Sequence, residues 1–296
     1  MTMTIEVRDL LLRYGDLTAL DRVSFRLDAG KIHGLLGRNG SGKTSLLSVL
    51  AAFRRATSGE VLINGEPVFE NPDVVRDLCF IRGAGDTVEH DWPGDRVKDA
   101  LAFAATFRPA WDADYAAALV DRFQLPPKKR LGQLSRGQRS ALGVTLGLAS
   151  RAPLTMFDES YLGMDAPSRY AFYDELLADF MAHPRTFVIS THLIEEVSSL
   201  FEEVVIIDQG RLVLHEPADD LRARGASVTG PAEAVARFAE GLTILGDKQL
   251  GPTRSVMVYG ELDNGQLAAA RDAGLELGPV ALQDLFVHLT EARSRS

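Results

Sequence analysis

The stretch GRNGSGKTS, residues 37 to 45, is the feature of this sequence that most constrains its fold. Gly37 and Gly42 bracket four residues and are followed by Lys43 and Thr44, which gives the pattern G-x-x-x-x-G-K-[ST]. Glycines at this spacing let successive backbone N–H groups turn inward around phosphate oxygens, where side chains would collide. Because an apolar strand pattern precedes the stretch and a helical pattern follows it, we predict a phosphate-binding loop rather than a chance glycine-rich turn.

The predicted loop gives chemical roles to its residues. Backbone N–H groups and the positive end of the following helix would hold the phosphates of a nucleotide. The Lys43 ammonium would reach the β and γ phosphates, and the Thr44 hydroxyl would ligate magnesium. The residues predicted to contact the nucleotide here are Gly37, Asn39, Gly40, Ser41, Gly42, Lys43, Thr44 and Ser45.

A second candidate feature is the acidic end of an apolar strand, PLTMFDE at residues 153 to 159. An acidic pair after a strand, taken alone, is usually a solvated strand end. With a phosphate loop in the same chain, we predict that Asp158 holds magnesium through its water shell. Glu159, one residue further, would polarise an attacking water molecule.

Strand and helix patterns alternate along most of the chain, which predicts an α/β fold with a mainly parallel sheet. An Asn-Gly turn within GEVLINGEPV, residues 59 to 68, predicts a hairpin in an antiparallel β subdomain. Residues 94–150 are Ala-rich and helical in period, and we predict a helical insert there. We predict one domain over 1–221 and a small α+β appendix over 222–296, with the Gly-rich stretch RARGASVTG at the boundary.

The charge balance limits the classes of partner. The chain has 41 acidic residues against 32 Lys and Arg, a formal net charge of −9, which argues against broad binding to nucleic acid. The single cysteine, Cys79, lies in the apolar run LCFI and is interpreted as a buried small hydrophobic residue. We find no run of about 18 apolar residues, so we predict no membrane span in this sequence.

The stretch LSRGQ, residues 134 to 138, resembles the signature motif of the ATP-binding cassette (ABC) family. The family usually has glycine where this chain has Arg136. The resemblance implies a P-loop ABC nucleotide-binding fold that binds ATP and Mg²⁺. It also implies that the signature of one subunit, residues Ser135, Arg136, Gly137 and Gln138, caps the γ-phosphate held by another, in a homodimer or a heterodimer with a related ATPase.

Three smaller matches follow the same family pattern. STH at 190 to 192 resembles the switch histidine, which implies a role for His192 beside the γ-phosphate, although a histidine in this position can also simply cap a helix. RYG near the N-terminus resembles the aromatic loop, with Tyr14 stacked on adenine, although an edge-strand tyrosine is the alternative. In ESYLGMD, Asp165 keeps its place at the dimer seam, while Ser160 replaces a proline and Met164 a leucine.

One residue of the family pattern is missing. The family carries a glutamine after the strand that ends the first lobe, and the corresponding position here falls near Gly83. That glutamine normally contacts magnesium and lies beside the transmembrane partner. Asp86 or Glu89 would supply an oxygen in its place, or the ligand is lost; both readings stay open.

The C-terminal stretch ALQDLFVHLTEAR resembles the closing helix of ATPase subunits of bacterial ABC-2 type exporters, with a generic amphipathic helix as the alternative. The resemblance implies an ATP-hydrolysing subunit that powers a separate transmembrane permease from the cytoplasmic face of the membrane. Two other functions stay open at this point. One is a soluble ABC ATPase acting on nucleic acid or ribosomes, and the other is a regulatory ABC module with weak hydrolysis.

Overall fold

The computed structural model describes residues 2–83 and 94–294, and contacts divide the chain into two compact units. The cassette unit consists of Met1–His192 and Val205–Leu214, and the accessory unit consists of Leu193–Val204 and His215–Ser296. Contacts group Leu193–Val204 and the residues from His215 onward with the accessory unit. The boundary at residue 222 therefore stays a prediction. Asp86 and Glu89 lie outside the described residues.

The elements are numbered in chain order. Up to His192 they are β1 (Ile5–Tyr14), β2 (Leu17–Leu27), β3 (Ile32–Leu36), α1 (Lys43–Leu50), β4 (Ser58–Ile63), β5 (Glu66–Pro67), α2 (Pro72–Val75), β6 (Leu78–Ile81), α3 (Val97–Phe107), α4 (Ala113–Arg122), α5 (Arg136–Ala149), β7 (Leu154–Asp158), α6 (Ala166–Ala182) and β8 (Thr186–Thr191). They continue with α7 (Ile194–Val197), β9 (Glu203–Asp208), β10 (Arg211–Pro217), α8 (Ala218–Ala223), β11 (Gly225–Pro231), α9 (Ala232–Phe238), β12 (Thr243–Leu250), β13 (Thr253–Tyr259), α10 (Asn264–Asp272), β14 (Glu276–Pro279) and α11 (Leu282–Ser294). Short 3₁₀ helices occupy Leu131–Gln133 and Ser198–Leu200.

A four-stranded antiparallel sheet forms the first layer of the cassette unit, in the order β2-β1-β4-β5. The hairpin between β4 and β5 is the one that the Asn-Gly turn predicts. Asn64 and Gly65 have φ angles of 52° and 84°, the two left-handed residues that such a turn requires. The apolar side chains of this sheet pack with those of α1 into one hydrophobic core.

A six-stranded sheet has the order β10-β9-β3-β8-β7-β6, and its pairs β3·β8, β8·β7 and β7·β6 are parallel. All residues of β3, β6, β7 and β8 are buried, as expected for parallel strands covered on both faces. The mainly parallel core predicted from the alternating patterns is therefore confirmed. Because these strands are parallel, their carboxyl ends meet at one edge of the sheet.

The segment predicted as a helical insert contains α3, α4 and α5. Helix α5 begins with a capping box, in which Gln138 N–H donates to Ser135 Oγ at 3.1 Å and Ser135 N–H donates to Gln138 Oε1 at 3.2 Å. The helical pattern after the phosphate loop, KTSLLSVLAAFRR, runs to Arg55, but helix α1 ends at Leu50. Ala52, with φ of 60°, takes the chain out of the helix there.

The accessory unit contains a second antiparallel sheet, in the order β12-β13-β11-β14. Its succession β11-α9-β12-β13-α10-β14 is the split βαβ arrangement, and α9 and α10 pack their apolar residues against Val228, Val256 and Val258. The Gly-rich stretch at the predicted boundary is largely strand β11, which lies between β13 and β14. Gly225 and Gly230 of this strand lie close to the side chains of Val280 and Leu275.

A buried ion cluster at the other end of the parallel sheet, before β7 and β8, is expected to stabilise the cassette unit. The Asp179 carboxylate of α6 is 1 % exposed, and its Oδ2 lies 2.6 Å from Nη2 of Arg185, which is itself 3 % exposed. Asp179 also contacts Arg151. Burial, together with the neighbouring Arg151 charge, lowers the pKa of Arg185 to about 10.

We expect Asp179→Ala to destabilise the fold by about 3–5 kcal/mol, because it leaves buried arginines without their counter-charge. Thermal or urea unfolding of purified protein measures the change. The control is Asp247→Ala, which breaks an exposed pair with Arg254 and is expected to leave the midpoint unchanged. Equal midpoints for both variants would contradict this account of the cluster.

Candidate active site

The phosphate-loop residues form a turn between β3 and α1. Gly40 and Gly42 have φ angles of 80° and 107°, and Ser41 N–H donates to Arg38 O at 3.1 Å. A side chain at Gly42 would meet Ala19 O at 2.7 Å, whereas one at Gly40 would meet nothing within 4 Å. The loop therefore depends on glycine at position 42 for space as well as for backbone conformation.

The loop opens into a cleft of about 500 Å³ in the cassette unit. Its lining combines predicted residues with residues that the sequence analysis did not single out. The predicted ones are Tyr14, Asn39, Gly40, Gly42, Lys43, Thr44, Ser45 and Glu159, and the others are Leu17, Thr18, Ala19, Gln209 and Gly210. The Lys43 side chain is 5 % exposed, and its Nζ donates to Gly37 O at 2.7 Å and to Arg38 O at 3.2 Å.

Glu159 links three parts of the site. Its Oε1 lies 3.3 Å from Lys43 Nζ and 3.0 Å from His192 Nδ1. The residue follows β7 directly and has φ of 48°, a left-handed conformation that costs a non-glycine residue about 1–2 kcal/mol. A carboxylate held between an ammonium group and an imidazole ring at the mouth of a cleft is placed to accept a proton or to orient a polar ligand.

Asp158 ends β7 and is 4 % exposed. Ser190 Oγ of the neighbouring strand β8 donates to its Oδ1. The structure thus places Asp158 and Glu159 side by side but in different surroundings. Asp158 is buried and hydrogen-bonded by a hydroxyl, and Glu159 faces Lys43 and His192.

Tyr14 lies at the end of β1 and is 38 % exposed. Its OH is 3.4 Å from Ser45 Oγ in the phosphate loop. The Arg54 guanidinium lies over the ring, 4.9 Å from its centroid. The side chain lines the cleft, as expected of a residue that contacts a nucleotide base, and one face of its ring contacts a cation.

The signature residues do not line this cleft. Ser135 and Gln138 cap α5, and Lys129 Nζ also donates to Gln138 Oε1 at 2.9 Å. Asp165 caps α6 by accepting from Ser168 N–H at 3.0 Å, and hydrogen bonds from Ser168 lower the pKa of its carboxyl group. The structure therefore separates these residues from the phosphate loop of the same chain.

Gly83 lies near the position where the family pattern has its glutamine. A side chain there would lie 3.4 Å from Asp158 O and 3.9 Å from Glu159 O. The position is thus beside the acidic strand end, where the resemblance places it, but this chain supplies no side chain at it.

The turn between β9 and β10 is a part of the site that the sequence analysis missed. Gln209 and Gly210 both have positive φ angles, 47° and 75°, and Gly210 N–H donates to Ser41 O at 2.9 Å. The Gln-Gly pair between two apolar runs was a readable signal for a hairpin turn. Its contact with the phosphate loop, more than 160 residues earlier in the chain, was not readable.

A glycine-rich loop on a parallel sheet, with an acidic strand end beside it, defines a P-loop nucleotide-binding protein. The family model described as "ABC transporter" matches residues 20–161. The chain is 28 % identical to the daunorubicin resistance ATP-binding protein DrrA3 of Streptomyces coeruleorubidus, over 94 % of this chain and 93 % of that protein.

Two further relatives match a smaller share of this chain. The doxorubicin resistance ATP-binding protein DrrA of Mycobacterium tuberculosis is 30 % identical over 71 % of this chain, which spans 64 % of that protein's length. The spermidine/putrescine import ATP-binding protein PotA of Pseudomonas aeruginosa is 31 % identical over 70 % of this chain and 58 % of its own.

The fold is also that of solved structures. A dimeric ATP-binding cassette in a post-hydrolysis state, bound to ADP and Pi, superposes with a TM-score of 0.62 at 20 % identity, covering 72 % of this chain and 98 % of that one. The chain belongs to the ABC transporter family, as one of its ATP-binding, ATP-hydrolysing subunits. The resemblance read from the signature motif is confirmed.

ATP and Mg²⁺ are the ligands of this family, and the residues present fit them. Ser41 Oγ is buried inside the phosphate loop and has no hydrogen-bond partner within the described residues, which leaves its hydroxyl available to a bound nucleotide. The described residues contain no cluster of three His, Cys, Asp or Glu side chains with metal-ligand spacing. A magnesium ion would therefore take a hydroxyl, a single carboxylate and phosphate oxygens as its ligands.

We expect Gly42→Ala to weaken ATP binding by at least about tenfold. Residue 42 immediately precedes α1, and its new Cβ would clash with Ala19 O of β2. Gly40→Ala, which has the same sign of φ but open space, is the matched control and should weaken binding less. Calorimetric titration with ATP and magnesium measures both, alongside thermal unfolding to confirm that each variant folds. Equal losses would mean that backbone strain alone, and not the clash, decides affinity.

Proposed function

We propose that this chain is the ATPase subunit of an ABC-2 type exporter and works as a dimer on a separate transmembrane permease. The observation that carries the ATPase chemistry is the Glu159 carboxylate, which contacts both Lys43 and His192 beside the phosphate loop. The export direction is supported by the extent of the match to the daunorubicin resistance relative. That match includes the accessory unit, whereas the match to the polyamine importer covers only 70 % of the chain.

The residues of the cleft have separate roles in the hydrolysis reaction. Loop N–H groups and Lys43 bind the β and γ phosphates, and Tyr14 stacks on adenine. Thr44 and Asp158 would hold magnesium, which would neutralise charge on the phosphate oxygens. Glu159 orients a water molecule and accepts its proton as the water oxygen bonds to the γ-phosphorus. The bond between the γ-phosphorus and the oxygen that bridges it to the β-phosphate breaks in the same step. His192 fixes the Glu159 carboxylate through the contact at 3.0 Å.

The dimer completes each site from the other subunit. Ser135 caps α5 outside the cleft of its own chain, and α5 is a 14-residue helix without acidic residues in its first turn. Ser135, with the backbone N–H groups of Arg136, Gly137 and Gln138, would cradle the γ-phosphate of ATP bound to the partner subunit. Asp165, at the start of α6, would lie at the seam between subunits. The partner is a second copy of this chain or a related ATPase.

Among the described residues, no helix is both long and apolar enough to cross a membrane. The cassette unit carries an exposed aromatic pair on α3. Phe103 and Phe107 are 59 % and 63 % exposed, with ring centroids 4.7 Å apart. Exposed paired aromatic residues are typical of protein contact surfaces, and we propose that this pair contacts the cytoplasmic helices of the permease. The subunit would then lie on the inner face of the membrane.

We expect Glu159→Gln to lower ATP turnover by about 10²–10⁴-fold, because the amide cannot accept a proton from water. ATP should remain bound, so the variant should form a stable ATP-dependent dimer by light scattering. Glu60→Gln, an exposed carboxylate paired with Arg8, is the control and should turn over like the wild type. Hydrolysis by the Glu159 variant at the wild-type rate would show that another group acts as the base.

The same Glu159→Gln protein, tagged and purified with ATP and magnesium from membranes of its native host, tests the transport function. We expect a multi-span membrane protein to copurify with it. Recovery only from the soluble fraction, together with ribosomal or DNA-bound proteins, would overturn the exporter proposal and leave the ATPase chemistry intact.

We expect the double substitution Phe103→Ser, Phe107→Ser to reduce that copurification by at least about tenfold, since exposed aromatic anchors carry much of the energy of a protein interface. Basal ATP hydrolysis by the isolated subunit should not change, because neither residue lines the nucleotide cleft. The exposed residue Leu250 of β12 provides a control, Leu250→Ser, that should retain the permease. Full copurification with the double variant would exclude this surface as the permease contact.

A further inference from the structure

Arg136, the residue that departs from the family signature, packs on the loop that follows Glu159 in the same chain. Gly163 in that loop has φ of 95°. A Cβ placed on it would lie 2.6 Å from Arg136 Cγ, 2.8 Å from Cδ and 3.1 Å from Nε. The aliphatic stem of Arg136 therefore crosses directly over the Gly163 backbone and fills the space that a side chain at position 163 would need.

Two more residues of α5 hold the same loop. Gly137 approaches so closely that a Cβ there would lie 2.8 Å from Gly163 O. One turn further along the helix, Ser140 Oγ donates to Leu162 O at 2.7 Å. Positions 136, 137 and 140 lie on one face of the helix, so the N-terminal turn of α5 and the loop form one packed unit.

The loop is tied in turn to Glu159. Leu162 N–H donates to Glu159 O at 3.1 Å, which closes a turn on the residue whose φ is 48°. A left-handed backbone in a non-glycine residue persists only where its surroundings hold it. The contacts from α5 to residues 162 and 163 are part of those surroundings, and so they bear on where the Glu159 carboxylate points.

We propose that Arg136 is a positioning residue for the hydrolytic reaction: its stem clamps the Gly163 loop and thereby fixes the Glu159 carboxylate of its own chain. The inference rests on the proposed role of Glu159. The clamp would couple the N-terminal turn of α5, which faces the nucleotide of the partner subunit, to Glu159 of its own subunit. The family's usual glycine at this position has no stem and makes no such contact.

The contact with the Gly163 loop is made mainly by the aliphatic stem of Arg136 and does not depend on its charge. Within the described residues, Arg136 makes no hydrogen bond or ion pair, and the residue is exposed. A cation in the first turn of a helix is also electrostatically unfavourable. A long side chain without charge should therefore replace it.

The test compares Arg136→Gly, which removes the stem, with Arg136→Met, which keeps an unbranched stem and removes the charge. Arg76→Met, at an exposed arginine near α2, is the control for charge loss. We expect Arg136→Gly to lower kcat about tenfold with KM for ATP within about twofold, because a misplaced base slows chemistry without weakening nucleotide binding. We expect Arg136→Met and Arg76→Met to keep kcat within about twofold of the wild type.

Three outcomes would overturn the proposal. Wild-type kcat in Arg136→Gly would show that the clamp has no effect on chemistry. An equal loss in Arg136→Met and Arg136→Gly would assign the effect to the guanidinium. A loss of ATP-dependent dimerisation when Arg136→Gly is combined with Glu159→Gln would show that the Arg136 side chain acts in the partner's nucleotide site instead of on its own chain's loop. The single Glu159→Gln variant separates these results from a failure of the base assignment itself, because it does not alter the clamp.

Discussion

The register of three parallel strands is the constraint on which the site depends. In the β3·β8 pair Leu36 lies opposite Thr191, and in the β7·β8 pair Asp158 lies opposite Ser190. Neighbouring strands are about 4.8 Å apart, so the residues that follow these positions start from adjacent points on one sheet edge. The phosphate loop, Glu159 and His192 come from distant parts of the sequence and meet because of this register. A shift of one residue in any strand would turn its side chains to the opposite face.

Electrostatics then decide how the residues at that edge are used. Two neighbouring carboxylates at a strand end would repel each other if both faced the same space. The left-handed φ of Glu159 turns the chain sharply after β7. Asp158 stays in the sheet against Ser190, while Glu159 reaches the cationic side chain of Lys43. The backbone strain at position 159 is therefore linked to a separation of roles between two adjacent acids, one suited to a metal and one to a proton.

Local patterns predicted the features that depend on local chemistry. The spacing of Gly37, Gly42 and Lys43 predicted a loop before a helix, and Asn64-Gly65 predicted a hairpin, because both require particular backbone angles. An α+β appendix was predicted after residue 222, but the pairing of its strands was not, because the partners of β11 are distant in sequence. The contact of Gly210 with the phosphate loop and the contact of Arg136 with Gly163 were missed for the same reason. In both, one segment comes close to the backbone of another because of tertiary packing. Neither contact leaves a periodic signal in the sequence.

Three departures from the family pattern converge on one short stretch of backbone after β7. Arg136 covers Gly163, and Ser160 Oγ makes a long hydrogen bond to Ile81 O of β6, which the side chain of the usual proline would not make. Gly83 lies beside Asp158 and Glu159, and a Cβ there would be in ordinary contact with their backbone oxygens. This chain holds the stretch through a contact with β6 and a contact with α5. We infer that these two contacts help to keep the Glu159 carboxylate beside Lys43 and His192.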